Sequence, residues 1–347
     1  GSVIGGRAQS AYLMKWNRYY SPKALYAILN SGILPRLTTL PFSAIIDGKE
    51  IQFDRGTIVI PVHQRDADAN ISPDDIYKMV NHLAEIDHVS IYATNSAATP
   101  MGPDLGGAFQ GVLQKPKVAI FSGEGTSSSG VGEVWHLLNH KMGIPVSLLN
   151  AKKLNAAKLS KYNTLIIPDG NYANLDSNDV SAIKAWIKNG GTLIATQTGS
   201  KWVVNKKILD EKLKKGIKDT LDIPYDQVPA VTGAQRIGGA IFEIVLDNTH
   251  PIAYGYGKSA PVFRRGDAFY ELSVKTAANV GRYTEAPLLS GYISEEKLAE
   301  MEGTASIIAR RQGRGHVVLF ADNPNFRAFW YGTNGLFLNA VFFGQAF

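Results

Sequence analysis

The stretch Asn189-Gly190-Gly191, then Thr192-Leu193-Ile194-Ala195-Thr196, then Gln197-Thr198-Gly199-Ser200 constrains the fold more than any other. The amphipathic pattern over Ser177–Lys188 reads as a helix that the glycines close. The apolar run that follows reads as a strand buried on both faces. Helix, Gly-Gly, buried strand and sharp turn is the order in which several hydrolytic α/β folds present a nucleophile. Glutamine occupies this turn, and its amide cannot attack. The chain has no cysteine, so no thiol can stand in and thiolate metal sites are excluded. Thr198 and Ser200 carry hydroxyls beside it, but each needs a base within hydrogen-bond reach, and the sequence orders none.

Strands alternate with helices from the start. Residues 11–16, 33–40, 57–61 and 89–92 read as strands, with 57–61 typical of a buried parallel strand. Ser21-Pro22 and Ser72-Pro73 start helices, each a cap residue followed by proline. Leu25, Ile28 and Leu29 line the first inner face; Ile76, Met79, Val80 and Leu83 line the second. Residues 102–115 read as a crossover, after which the alternation restarts. Residues 117–121, 146–149, 164–168 and 192–196 are the further strands. A helix over 128–141 carries Val131, Val134, Trp135 and Leu138 on one side. The expectation is an α/β protein of two doubly wound parallel-sheet domains, residues 1–115 and 116–347. From 243 onward the pattern is mixed, with a strand at 243–246, a strand pair turning at Gln312-Gly313, and a closing helix at 336–343.

A net charge of +6 raises the question of nucleic acid. The positive charge is scattered, however. Lys206, Lys207, Lys212, Lys214, Lys215 and Lys218 interleave with Asp210, Glu211 and Asp219, which reads as a solvated helix face. Arg310, Arg311 and Arg314 flank the hairpin turn and read as exposed. No nucleic-acid motif accompanies these charges, and no apolar run reaches the roughly 18–20 residues a membrane span needs. Gly1-Ser2 reads as a cloning remnant, so the lack of a signal peptide says little about compartment.

Loops after parallel strands are where such folds place their sites. Three are expected to meet in the second domain: Gly123-Glu124-Gly125-Thr126, Asp169-Gly170-Asn171-Tyr172, and the Gln197 turn. The first could cradle an anion at a helix start; it has no P-loop lysine. Gly170 could donate a backbone N–H to an oxyanion. Glu124, Asp169, Gly170, Asn171, Gln197 and Thr198 are the candidate pocket, and His136 and Arg327 the candidate recognition residues. His136 and His140 lie four apart with Glu133 ahead of them, which does not match His-Glu-x-x-His. His82 and Glu85 fit a His-x-x-Glu spacing but fall beside or outside their helix's apolar face. No metal site and no cofactor is expected in this chain. His250 before Pro251 reads as a turn held by side-chain hydrogen bonds. Phe326, Phe329, Trp330 and Tyr331 crowd around Arg327.

The second domain resembles the class I glutamine amidotransferase-like, flavodoxin-like fold. The chain as a whole resembles the region that follows the catalytic domain in bacterial zinc carboxypeptidase-like proteins. The matching pieces are 56–61, Asp104-Leu105-Gly106, 116–121, 132–138, Gly143-Ile144-Pro145 and 190–195. They continue with 249–255, 288–292, 315–319, Phe326-Arg327 and 336–340. The resemblance implies a zinc-bearing peptidase domain upstream, as partner in the same polypeptide, and a secreted or periplasmic setting. It also places the amidotransferase cysteine at Gln197, with no His-x-Glu pair downstream. The expected function is a non-catalytic accessory region, a pseudoenzyme domain that supports the peptidase or binds its substrate. The alternatives are a small-ligand or glycan-binding module, for a peptide or sugar ligand, and an independent hydrolase using Thr198 or Ser200.

Overall fold

The computed structural model describes residues 1–64, 71–151, 154, 156–216 and 223–347. Two compact units result, one of Gly1–Pro116 with Leu138–Ile144, the other of Lys117–Leu137 with Pro145–Gln345.

The first unit contains β1 (Val3–Ile4), β2 (Ala11–Met14), α1 (Ser21–Asn30), β3 (Arg36–Thr38), β4 (Phe42–Ile46), β5 (Lys49–Phe53), β6 (Ile58–Pro61), α2 (Pro73–Ile86), β7 (Ile91–Thr94) and β8 (Gln110–Val112). Its sheet runs β1-β7-β2-β6-β3-β8. Among the described residues only β1 and β7 pair in parallel in this sheet; β6 lies antiparallel to both β2 and β3. The parallel pairing expected of 57–61 is therefore corrected. A continuous apolar run reports burial on both faces, and β6 is buried, but burial carries no information about strand direction. β4 and β5 form a hairpin absent from the expected elements. Asp47 and Gly48 both take positive φ, 51° and 73°, as the tight hairpin turn favoured by Asp-Gly requires.

The two helix starts differ. Ser72 caps α2 in a reciprocal box with Asp75, as the sequence suggests. In α1 the cap position is Tyr20, not Ser21. Ser21 is already helical and buried, and its hydroxyl donates to Lys15 O at 3.2 Å.

The second unit contains β9 (Val118–Ser122), α3 (Ser128–Trp135), β10 (Val146–Asn150), α4 (Ala156–Leu159), β11 (Thr164–Ile167), α5 (Ser177–Lys188), β12 (Thr192–Thr196) and α6 (Gln197–Asn205). It continues with α7 (Val228–Ala234), β13 (Ala240–Leu246), β14 (Ser259–Arg264), β15 (Asn279–Ser290), α8 (Glu295–Met301), β16 (Ala305–Gln312), β17 (Gly315–Phe320) and α9 (Asn334–Phe343). One sheet joins nine strands in the order β10-β9-β11-β12-β17-β16-β15-β13-β14. The first five are parallel, and counted along the chain they run 2-1-3-4-5, the flavodoxin-like order. The remaining four extend the sheet antiparallel, so this unit is doubly wound only in its first half.

Every residue of β11, β12 and β17 is buried. On one face Phe121, Leu165, Leu193, Ala195 and Leu319 pack with Ile183 and Ile187 of α5 and Val203 of α6. On the other, Phe320 meets Phe337 of α9, ring centres 6.1 Å apart. α9 is apolar all round and nine of its ten residues are buried, which suits a helix enclosed by protein.

Three surface expectations change. His136–Lys141 continues α3 as a π turn. The wider turn shifts the helical register, so Leu137 and Leu138 are buried while Trp135 is 42% exposed. Residues 206–216 of the lysine-rich segment are not helical: α6 ends at Asn205, Lys207 turns with φ of 50°, and Leu213 bridges Tyr270. Lys218 and Asp219 lie outside the described residues. Arg310 is largely buried, donating to Glu211 Oε1 at 2.6 Å, whereas Arg311 and Arg314 are exposed. Among the described residues no helix is long and apolar enough to cross a membrane.

Candidate functional site

The carboxyl ends of β9, β11, β12 and β17 define the site. Between β12 and α6 the backbone turns in a single residue, Gln197, whose φ is +49°. A side chain in this left-handed region costs about 1–2 kcal/mol, so packing on either side must impose the turn. Gly199 supplies that packing. A Cβ at this position would lie 2.4 Å from Pro168 O and 2.6 Å from Ile167 O. Only glycine lets the first turn of α6 approach the end of β11 so closely. The nucleophile-type elbow is thus built in full, and the side chain it displays is an amide.

The neighbouring loop is held by hydrogen bonds. Thr198 Oγ1 donates to Asp169 Oδ1 and accepts the Gly170 N–H at 2.7 Å. A carboxylate therefore stands against Thr198, the partner that the sequence did not order. The Gly170 N–H is consumed by Thr198, which removes it from the oxyanion-donor role expected for it. Gly125 has φ of +90°, and a Cβ there would meet Asn171 O at 2.3 Å, so the loop after β9 lies tightly on the loop after β11. Asn171 N–H donates to Gly125 O at 2.6 Å, and Asn171 Oδ1 accepts from Ala173 N at 3.1 Å. Ser200 is fully buried and its hydroxyl donates to Phe320 O at 2.9 Å, so it cannot meet a substrate from solvent.

A cleft of about 390 Å³ opens over this turn. Asp169, Gln197 and Thr198 line it, joined by Lys201, Arg236, Arg264, Arg265 and Asp267. Glu124 and Asn171 do not. Its size suits one small ligand. Beneath it, Arg264 is 1% exposed and donates to Tyr283 OH at 2.7 Å and to Ala268 O. It also lies 3.4 Å from Asp322 Oδ1. Tyr283 OH and Ser306 Oγ donate to the two Asp322 oxygens. Burial pushes the Asp322 carboxyl above its ordinary value, and the Arg264 guanidinium opposes that shift.

No family model matches the sequence, and no curated protein matches it. Solved structures resemble it in part. A ThuA-like protein from Bacteroides uniformis aligns over 65% of this chain and 89% of its own, with 11% identity and a TM-score of 0.39. PurLQS from Thermotoga maritima aligns over 65% and 96%, with 14% identity and a TM-score of 0.44. A glutamine amidotransferase from Thermotoga maritima aligns over 60% and 75%, with 11% identity and a TM-score of 0.38. The flavodoxin-like assignment rests on this chain's own strand order.

The two candidate recognition residues sit elsewhere. Arg327 is exposed with its guanidinium over the Phe326 ring, 5.3 Å from the ring centre. Its backbone is what reaches inward: Arg327 N–H donates to Glu133 Oε1 at 2.8 Å, and Asn323 Nδ2 donates to Glu133 Oε2 at 2.8 Å. Glu133 thereby ties α3 to the loop after β17, where Arg327 and Ala328 both take positive φ. Burial pushes the Glu133 carboxyl up, and the two hydrogen bonds oppose it. His136 is half-buried on the π turn and does not line the cleft. His82 and Glu85 are exposed, and no group of three metal-ligating side chains comes together among the described residues.

Lys201, Arg236, Arg264, Arg265 and Asp267 were not singled out from the sequence. Lys201 was the most legible, four residues after Gln197 and so on the same face of α6. Arg264 ends β14, and Arg265-Gly266-Asp267 follow it; the pairing of that strand is not legible in the sequence.

His250 is the cap that its position before Pro251 suggests. Its Nδ1 accepts the Ile252 N–H at 3.2 Å. Burial pushes its pKa down to about 4. The unfolded chain takes up this proton near the ordinary value of 6.5, and the folded chain only near 4. The stability contributed is therefore whole above about pH 6.5 and is lost as pH falls toward 4. His250→Asn keeps a capping acceptor and removes the titration. Urea midpoints should then decline less steeply than wild type between pH 6.5 and 4. Parallel declines in the two proteins would show that His250 is hydrated when folded.

Proposed function

We propose that the second unit is a non-hydrolytic binding module that holds a small polar ligand over the Gln197 elbow. One observation carries the reading: the strained turn and the cleft above it are fully constructed, yet the residue presented is a glutamine. An amide both donates and accepts hydrogen bonds, which suits recognition and not attack. Thr198 is the competing nucleophile, and its hydroxyl is engaged by both Asp169 and Gly170. That arrangement clamps the loop after β11 to α6.

Ligands that bind only the folded state raise its melting temperature. A panel of sugars, amino acids and short peptides should contain at least one that raises Tm by several degrees, with the shift reduced in Gln197→Ala. Parallel assays on glutamine, peptide and ester substrates should show no turnover. Hydrolysis that Thr198→Ala abolishes would sink the reading, as would a panel that leaves Tm unmoved. Service as the accessory region of a zinc carboxypeptidase-like protein is the wider setting we propose, and it rests on the ordered sequence pieces alone. The full-length coding sequence tests it, since that setting requires a zinc-peptidase domain encoded upstream.

A further inference from the structure

The cleft over Gln197 has a division of charge. Lys201, Arg236 and Arg265 line it, and among the described residues none of their three side chains has an ion pair or hydrogen bond. All three are exposed. The fourth cation, Arg264, is already matched by buried Asp322. Lys201 lies on the first turns of α6, whose cap residue Thr196 provides no side-chain acceptor, so the positive end of that helix dipole faces the same region. Two carboxylates oppose these charges, Asp169 and Asp267. Asp169 has one oxygen committed to Thr198 and the other without a hydrogen bond among the described residues. The lining therefore offers cationic donors, and beside them carboxylate and amide groups that accept from hydroxyls.

Resting on the binding-module reading, we propose that the ligand is a small polyol bearing one anionic group, such as a sugar acid or a sugar phosphate. The anionic group sits on Lys201, Arg236 and Arg265. Guanidinium forks match carboxylate and phosphate oxygens in pairs. The hydroxyls are taken by Asp169, Gln197 and Asp267, and the two carboxylates among them would repel a ligand that is anionic throughout. A volume of about 390 Å³ accommodates one hexose-sized molecule with some water. A neutral sugar would leave the three cations unanswered, and a bare anion would leave the acceptors unanswered.

The test is calorimetric titration of the full chain with glucuronate, glucose 6-phosphate, glucose and inorganic phosphate. The same series is run on the Arg236→Ala/Arg265→Ala variant, whose altered side chains are exposed and leave the core intact. Glucuronate or glucose 6-phosphate should bind at least tenfold more tightly than glucose and inorganic phosphate. The variant should lose that advantage, and wild-type affinity should fall as salt rises. The better of the two anionic sugars identifies carboxylate or phosphate as the group held. Glucose binding as tightly as both, unchanged in the variant, overturns the anionic assignment and leaves the binding module standing. Inorganic phosphate binding as tightly as glucose 6-phosphate overturns the polyol assignment. No binding in this series, with a Tm shift from an amino acid or peptide that Gln197→Ala reduces, likewise overturns the present inference alone. No shift anywhere in the wider panel overturns both.

Discussion

Asp322→Ala should lower the unfolding free energy by about 3–5 kcal/mol, the cost of stranding one member of a buried ion pair. Arg264 ends β14, Tyr283 lies on β15, Ser306 on β16, and Asp322 just follows β17. Their side chains meet at Asp322, so one carboxylate ties together four strands. Removing it leaves a guanidinium that is 1% exposed without a counter-charge, and leaves two hydroxyls without their acceptor. Arg264→Met should cost a similar amount by stranding the carboxylate instead. The double variant Arg264→Met/Asp322→Leu should recover much of either loss, because a matched apolar pair carries no desolvation penalty. Chemical denaturation of the three variants measures all of this. A loss under about 1 kcal/mol for Asp322→Ala would mean that water reaches the network from the cleft and solvates it.

This network also shows where the sequence stops being legible. β11, β12 and β17 were readable because both of their faces are buried, which leaves unbroken apolar runs between glycines and prolines. β14 carries Pro261, and Arg264, the largest of the fully buried side chains, sits at its end; neither signals a strand. β15 is half-exposed and breaks register against both neighbours, so its alternation is blurred. Apart from Lys201 on α6, the basic lining of the cleft comes from the end of β14, at Arg264 and Arg265, and from Arg236. By contrast, Asp169, Gln197 and Thr198 could be placed from the sequence because they follow the legible strands directly. Glu124 and Asn171 follow legible strands too, yet the tight crossing at Gly125 turns their loops onto each other and away from the cleft. Hydrophobic pattern thus locates the end of a strand, and backbone packing beyond that end decides which loop residues face a ligand. The same limit applies to β6, whose burial was readable and whose direction was not.

Gly199→Ala should separate the elbow's geometry from its chemistry. The added methyl would stand 2.4 Å from one backbone carbonyl oxygen and 2.6 Å from another. Both oxygens belong to the end of β11, in the middle of the sheet, so neither can swing aside as a flexible side chain would. Relief requires α6 to slide off β11 by most of an ångström, and overpacking of this kind costs about 3 kcal/mol. The same slide carries Thr198 away from Asp169 and Gly170 and relaxes the left-handed turn at Gln197. The variant should therefore lose stability and ligand-induced Tm shift together, although Gly199 itself lines no part of the cleft. Gln197→Gly provides the contrast. It removes the strained side chain, keeps the turn, and should leave stability equal or up to about 1 kcal/mol higher while still weakening ligand binding. If Gly199→Ala were as stable as wild type, the close approach of α6 to β11 would be wrong. If it were unstable yet bound ligand normally once folded, the cleft would not depend on the elbow that shapes it.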